Sequence, residues 1–551
     1  MDKDQDLKAL EKLLDSSRLN LKEMDRLEFL RLSGKAAVLS LGLTIASTLK
    51  GGKPTFAEES NPFNHQSYPF TLGVASGDPL PDGVVLWTRL APDPLNGGGM
   101  PHYDVPVKWE MALDADFNKI VKHGVEFARN QLGHSVHVEV EGLQPNTVYY
   151  YRFRTGPETS PVGRTKTLPP FASDVAKMSF AFVSCQNWQA GYYTAYEHLA
   201  KEDLDLVFHL GDYIYEGGVD TSAVRQHNSP KILTLEDYRN RHALYRSDVH
   251  LQAAHAAFPW AVTMDDHEVE NNYAGLHPDQ KHTLEEFIKQ RAAGYQAYYE
   301  HMPLRRSSLP YGANMQLYRR LNYGNLVDFH ILDTRQYRDD QANGDGKKPP
   351  TPESMDPSRS LMGAEQERWL LDGLGQSRAR WNVLAQQVFF AVRDFKSGVG
   401  EQLSMDAWDG YPANRDRILN FIQERNLSNF VVITGDVHNS WANELKADFK
   451  NPNSANIGVE FVGTSISSGG DGSDSGNAAV LAENPHIKFY NNYRGYVRCT
   501  VTPDHWQADY RVVPYITRPG AHVATRASFV VENGKQELNK IYDAPITVTS
   551  V

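Results

Sequence analysis

The sequence predicts two consecutive domains of different class: an all-β sandwich over residues 67–170, then a layered α/β domain over 176–535. Two observations carry this reading. Before Pro169-Pro170, short strand-like runs alternate apolar with polar residues and are separated by turn-forming residues. After it, continuous apolar runs alternate with helical stretches, the pattern of strands covered on both faces. A chain of 551 residues, 40% hydrophobic and 23% charged, is long enough for more than one core. Its net charge of -12 argues against a general nucleic-acid binder, so no specific nucleic-acid partner is expected.

Residues 1–57 have the layout of an export signal. DRLEFLR (25–31) precedes an apolar stretch in which 14 uncharged residues separate Lys35 from Lys50. That stretch is too short and too rich in Ser, Gly and Thr for a spanning helix. Thr55-Phe56-Ala57 supplies a small-residue cleavage site. The segment resembles a twin-arginine signal: Arg26, Phe29, Leu30 and Arg31 fit, and Leu27 stands in place of the second arginine. The competing reading is a short amphipathic helix. The first reading implies a secreted or wall-associated protein that engages an export machinery.

Within 67–170, GVVLWTRL (83–90) and VPVKWEMAL (105–113) read as strands. HSVHVEVEGL (134–143) alternates strictly, with Val136, Val138 and Val140 on one face and His137, Glu139 and Glu141 on the other. TVYYYRFR places Tyr149, Tyr151 and Phe153 on one face. Strand spacing near ten residues suggests an immunoglobulin-like sandwich. The run GLQPNTVYYYRFRTG resembles the end of a fibronectin type III or purple-acid-phosphatase N-terminal module.

In 176–535 the strand-like runs MSFAFVS, LDLVFHL, PWAVTM and FVVIT all end in chemistry-bearing residues. The first ends in Ser184-Cys185 and the second in Gly211-Asp212-Tyr213-Ile214-Tyr215-Glu216. The third ends in Asp265-Asp266-His267-Glu268 with Asn271-Asn272 beyond, and the fourth in Gly435-Asp436-Val437-His438. In a sheet of this class, sites lie beyond the carboxyl ends of the strands. A single aspartate there is usually a turn or cap residue. Four such clusters on one edge would repel one another unless cations neutralise them. The chemistry that fits is metal-assisted phosphoester hydrolysis. Asp212 is the expected bridging carboxylate, with Tyr215 three residues on and Cys185 as a thiolate. Sulfur and phenolate ligands favour a transition metal, and Asp and Asn oxygens a harder ion such as Ca²⁺. With only two cysteines in the chain, a Cys185–Cys499 bridge stays open as the alternative use of the thiol.

Together FVSCQN, LGDYIYE, DDHEVENNY, LDTRQYR, SMDAWDGYP and TGDVH resemble the PhoD family of alkaline phosphatases, within the metallophosphoesterase and purple acid phosphatase superfamily. The resemblance runs from the signal region to about residue 530. It implies an α/β metallophosphoesterase layered sandwich holding Fe³⁺ and Ca²⁺, with Cys185, Asp212, Tyr215, Asp266, Asn272, Asp436 and His438 as metal ligands. Gly211, Asp212 and Tyr215 match the superfamily's G-D-x-x-Y block. Ser184-Cys185 replaces its first block, and Asp436 stands where an imidazole is usual. The catalytic expectations are His267 for proton transfer or ligation, Arg305 (with Arg306) as a phosphate clamp, and Asp409 as a ligand or an acceptor behind one. For each there is a plainer reading: a core histidine, a solvated arginine pair, a structural carboxylate.

The function this implies is exported alkaline phosphatase activity on phosphomonoesters and phosphodiesters by attack of a metal-bound hydroxide, serving phosphate scavenging. Teichoic acid-type wall polymers are candidate diester substrates, and a monomer is expected. The alternatives are a nucleotidase or nuclease of the same superfamily, and a non-catalytic wall-binding module. The Gly/Ser-rich stretch 467–477 reads as a flexible loop.

Overall fold

The computed structural model describes residues 67–279 and 281–546, all within one compact unit spanning His65–Val551. The signal-like segment 1–57 lies outside the described residues. Among those described, no helix is long and apolar enough to cross a membrane.

Three sheets of five or more strands, beside one two-stranded ribbon, organise the described residues. The largest has ten strands in the order Asn539–Asp543, Ala524–Glu532, His505–Val513, Arg494–Val501, Met178–Val183, Leu206–Leu210, Pro259–Thr263, Val74–Leu80, Gly83–Arg89 and Ser135–Glu141. The second has seven: Arg319–Tyr323, Val327–Ile331, Trp381–Ala385, Phe430–Thr434, Asn456–Val462, Ser440–Lys446 and Ile487–Asn491. Four strands matter for the site and are labelled β1 (Met178–Val183), β2 (Leu206–Leu210), β3 (Pro259–Thr263) and β4 (Phe430–Thr434). The first three pair in parallel in the large sheet, and β4 lies between two parallel neighbours in the second. Every residue of these four strands is buried. That is the arrangement their unbroken apolar sequences call for.

The two sheets pack face to face through one apolar cluster. Phe180 and Phe208 of the large sheet meet Phe329 of the second, with ring centroids 5.3 and 4.7 Å apart. Helices cover the outer faces. Leu235–Arg246, Val249–Ala257 and Leu284–His301 pack on the large sheet, and Gly363–Gln376 and Pro412–Glu424 on the other. The helix Leu284–His301 opens with a capping box: Thr283 Oγ1 accepts from the Glu286 N–H, and the Glu286 carboxylate accepts from the Thr283 N–H.

The N-terminal segment is all-β. A five-stranded sheet (Ile120–Ala128, Val105–Ala112, Val148–Thr155, Glu158–Thr159 and Gly163–Lys166) shares an apolar core with Val74–Leu80, Gly83–Arg89 and Ser135–Glu141. Val136, Val138, Val140, Tyr149, Tyr151 and Phe153 all lie in that core. The opposite face of Ser135–Glu141 is covered as well. His137 is buried against Tyr299, its Nε2 near the Tyr299 and Met302 carbonyls, because helix Leu284–His301 lies over it. The large sheet also runs across the boundary expected at Pro169-Pro170, since Val74–Leu80 pairs in parallel with β3 through Ser76↔Pro259 and Gly77↔Trp260.

Phe329→Ala removes the ring on which both sheets converge, and is expected to cost about 3–5 kcal/mol. A denaturant midpoint unchanged from the parent protein would show that this contact does not hold the sheets together.

Candidate metal centre

The loops after β1 to β4 converge because the ladder continues past the strands. The Cys185 N–H donates to the Gly211 carbonyl and the Gln186 N–H to the Asp212 carbonyl, each at 3.1 Å. This sets the thiol beside the carboxylate. Two glycines permit the approach. A Cβ on Gly211, whose φ is +105°, would lie 2.4 Å from the Asp265 Cβ, and one on Gly435 would lie 2.7 Å from the Ser184 side chain. Strain gathers where the donors stand: Cys185, Asp212, Asn272, Asp436 and His438 all adopt left-handed backbone with φ between 52° and 62°. Such conformations cost L-residues energy and mark sites that the surrounding structure dictates.

Two groups of possible ligands form. Donor atoms of Cys185, Asp212 and His438 lie within 4.8 Å of one another, and so do those of Asp212, Asp266 and His267. Asp212 belongs to both, the position a bridging carboxylate needs. The Tyr215 hydroxyl joins the first group, 3.0 Å from Asp212 Oδ2 and 3.2 Å from His438 Nε2. It also accepts from Ser468 Oγ at 2.6 Å. In the second group Asp266 Oδ2 accepts from the Asn272 N–H at 2.7 Å. His267 Nδ1 meets Glu216 at 2.7 Å, which leaves Nε2 for the cluster. Asp436 stands at the end of β4, where the charges of Asp406 and Asp266 act on it.

The electrostatics call for cations. Burial, reinforced by Asp212, pushes the Cys185 thiol well above its ordinary pKa, and burial does the same to Asp212 and Tyr215. Burial drives Asp265 and Glu268 up to about 8 and Asp436 to about 6. Burial also opposes the charge on Asp266, but Arg335 and His267 outweigh it and hold that carboxyl far below the usual range. For His267 burial disfavours the imidazolium, yet Asp266, Glu216 and Asp212 raise its pKa well above the ordinary value. Asp212 Oδ1 is buried without a hydrogen-bond partner. A sulfur, a phenol, an imidazole and several carboxylates around an orphaned oxygen fit a pair of cations.

The remaining sequence expectations fare differently. Arg305 is not brought to this cluster: its guanidinium bonds Glu139 at 3.1 Å and the Asp78 carbonyl at 2.8 Å, tying helix Leu284–His301 and its following turn to the N-terminal strands. Arg306 likewise pairs with Glu126. Asp409 is buried behind the site, where Oδ1 accepts from Arg415 at 2.7 Å and Oδ2 from the Arg393 N–H at 3.0 Å. Cys185 and Cys499 are both free thiols, since Cys499 pairs in register with Phe180, five residues short of Cys185. The start of the stretch 467–477 is pinned in the site, with Ser467 and Ser468 buried against the Cys185 carbonyl.

Sequence reasoning missed Arg335, Asp406 and the orienting role of Glu216. Arg335 is fully enclosed, 2.5 Å from Asp265 and bidentate to Asp406 at 2.7 and 2.8 Å. Both residues lie in motifs singled out in the sequence, LDTRQYR and SMDAWDGYP, but 70 residues of chain separate them.

Comparison with known proteins places this geometry. Residues 180–510 match the PhoD-like phosphatase family, and residues 56–169 match the PhoD-like phosphatase N-terminal domain. The chain is 60% identical to alkaline phosphatase D of Bacillus subtilis (strain 168) over 544 residues, 98% of this chain and 92% of that protein. It superposes on a solved structure of PhoD with a TM-score of 0.87 at 63% identity, covering 88% of this chain and 94% of that one.

Groups whose pKa is raised on folding bind protons that the unfolded chain has released. Asp265, Glu268 and Asp436 therefore favour the folded, metal-stripped protein at low pH and lose that contribution between about pH 4 and 8. The raised His267 acts in the same direction above its unfolded pKa of about 6.5. Chelated protein is expected to lose thermal stability steadily from pH 5 to 8, with metal addition restoring most at the alkaline end. A melting temperature that rises with pH in chelator would contradict this charge assignment.

Proposed function

Because the chain belongs to the PhoD-like phosphatase family and is an alkaline phosphatase, a phosphoric-ester hydrolase of a metal-dependent family, we propose a specific site for it. Cys185, Asp212, Tyr215 and His438 hold a ferric ion. Asp212, Asp266, Asn272 and Asp436 hold calcium on the other side. The observation that carries this is Asp212, shared by a group with Cys185 and His438 and by one with Asp266 and His267; Asn272 and Asp436 are added from the family resemblance. When bound, such cations acidify water and neutralise the phosphoryl oxygens of an in-line displacement.

The chain's own residues do the rest. Glu216 takes Nδ1 of His267 and leaves Nε2 free to pass a proton to the leaving oxygen, on a ring with a nitrogen within 4.8 Å of carboxylate oxygens of Asp212 and Asp266. The Tyr215 ring packs against the imidazole, with centroids 4.1 Å apart and the planes tilted by 32°. Ser468 donates to the Tyr215 oxygen and favours its phenolate. Water and an oxygen leaving group on either a monoester or a diester meet the same requirements.

The layered architecture supports a division into an immunoglobulin-like N-terminal sandwich (67–170) and a metallophosphoesterase domain (176–535). With residues 1–57 as a twin-arginine-like export signal, the enzyme would act outside the membrane as a monomer. There it would release phosphate from organic esters, including diesters of the teichoic acid type.

Elemental analysis of protein purified without chelators should find about one iron with one or more calciums per chain. Cys185→Ala and Tyr215→Phe should each lose the iron and reduce hydrolysis of an aryl phosphate by at least about 10²-fold. Zinc or manganese pairs without iron would retire the mixed-metal site.

A further inference from the structure

One arginine beside this site has no partner. Around the metal centre Arg335 and Arg338 pair with Asp406, Arg415 with Asp409, and Arg494 donates to the Ser468 carbonyl and to Ser465 Oγ. Arg393 is only 8% exposed, yet its guanidinium makes no hydrogen bond or ion pair among the described residues. Three aromatic rings hold it instead, with its central carbon 4.1 Å from the centroid of Phe389, 4.7 Å from Phe395 and 5.3 Å from Trp441. Only Nε is both buried and unpartnered, which leaves the two terminal nitrogens on the open side.

Its surroundings place it at the site. The Gly435 N–H donates to the Gln387 carbonyl at 2.9 Å, so the segment that leads to Arg393 starts beside the Asp436–His438 loop. Trp441, one of the three rings, lies three residues past His438. Burial lowers the Arg393 pKa to about 10, and the charges of Asp409 first and then Asp436 and Glu460 oppose this, so it stays cationic. Asp409 fixes the backbone, accepting the Arg393 N–H with one oxygen while Arg415 holds the other. A desolvated, unpaired guanidinium kept planar by aromatic faces has its in-plane donors ready for an anion.

We propose that Arg393 is a further catalytic residue of this phosphatase, its terminal nitrogens taking non-bridging phosphoryl oxygens of the substrate at the Asp436–His438 end of the site. The assignment rests on the metal-centre reading above, in which His438 and Asp436 would each hold one of the cations that face the phosphoryl group. A monoester dianion carries one more negative charge and one more terminal oxygen than a diester monoanion. Arg393 therefore favours the monoester.

The test uses the full-length, metal-loaded enzyme with an aryl phosphate monoester and the matching diester. Arg393→Ala is expected to lower kcat/KM for the monoester by about 10²-fold and for the diester by about tenfold, and to weaken inhibition by inorganic phosphate at least about tenfold. Added guanidinium ion should restore part of the monoester activity through the vacated aromatic slot. Arg393→Lys keeps the charge without the fork and should fall between. Metal content per chain is measured alongside. If it holds while both substrates fall equally, with phosphate inhibition unchanged and no rescue, Arg393 does not touch substrate. Undiminished activity in Arg393→Ala overturns the proposal as well. If Arg393→Ala loses metal, the decision passes to Arg393→Lys, whose monoester-to-diester ratio and phosphate inhibition must still shift. Parent enzyme without iron and calcium would defeat the metal-centre reading and leave the phosphate-inhibition result to judge Arg393 alone.

Discussion

Charge neutralisation where the strand ends of two facing sheets meet governs this structure. Asp212, Asp265, Asp266 and Glu268, all buried, and the half-buried Asp436 gather at the ends of three strands. At the low effective dielectric of such a place, like charges a few ångströms apart repel by several kcal/mol. Arg335 is the protein's own answer. Its fork bridges Asp265 and Asp406 and lies 3.7 Å from Asp266. Arg338 and the Gln341 amide secure Asp406 from the other side. One guanidinium shared among three carboxylates cannot settle the account for the rest, and Asp212 keeps an oxygen that nothing in the chain satisfies. The shortfall is what a cation site looks like from the protein's side.

Holding that arrangement requires backbone that a free chain would avoid. Five donors in left-handed conformations, at about 1 kcal/mol or more each for residues other than Asp and Asn, form a strained rim. The rim survives because the strands beneath it are rigid. β1 to β4 are buried along their whole length, and the Phe180–Phe208–Phe329 contact locks the two sheets that carry them. Glu268 adds a direct tie, accepting the Tyr213 N–H at 2.6 Å and the Asp265 N–H at 3.0 Å. A buried carboxylate is thus spent on geometry, clamping the β2 loop to the β3 loop. Gly294 lets helix Leu284–His301 close over that clamp, since a Cβ there would meet the Glu268 carbonyl at 2.7 Å.

Much of this was legible in the sequence for definite reasons. Unbroken apolar runs such as LVFHL and FVVIT read as strands buried on both faces, with the site expected past their carboxyl ends. Cys185, Asp212, Tyr215, Asp266, His267 and His438 do come together, but from strand ends of two facing sheets and not along the single edge the sequence led us to expect. The failures concern residues whose position depends on the tertiary fold. Arg305 follows a helix that folds back over the N-terminal strands, so its guanidinium meets Glu139 instead of substrate. Of the two readings of Asp409, ligand or acceptor, the fold shows it accepting from Arg393 and Arg415, while its neighbour Asp406 is the one that faces Arg335. Local sequence cannot tell which of two aspartates three residues apart turns inward. Nor could the Gly/Ser composition of 467–477 reveal that Ser468 would donate to Tyr215.

The parallel pairing of Val74–Leu80 with β3 has a consequence for how the chain is made. Ser76 and Gly77 find their partners at Pro259 and Trp260, some 180 residues later. Trp87 Nε1 donates to the Glu300 carbonyl, and Arg319 reaches back to Asp78. During synthesis at about 5–20 residues per second, the N-terminal strands emerge well before these partners exist. The edge presented by Val74–Leu80 must stay unpaired for roughly ten seconds or longer at those rates, open to association with other chains. Maturation is therefore coupled end to end: the first strands of the folded enzyme are among the last to be completed.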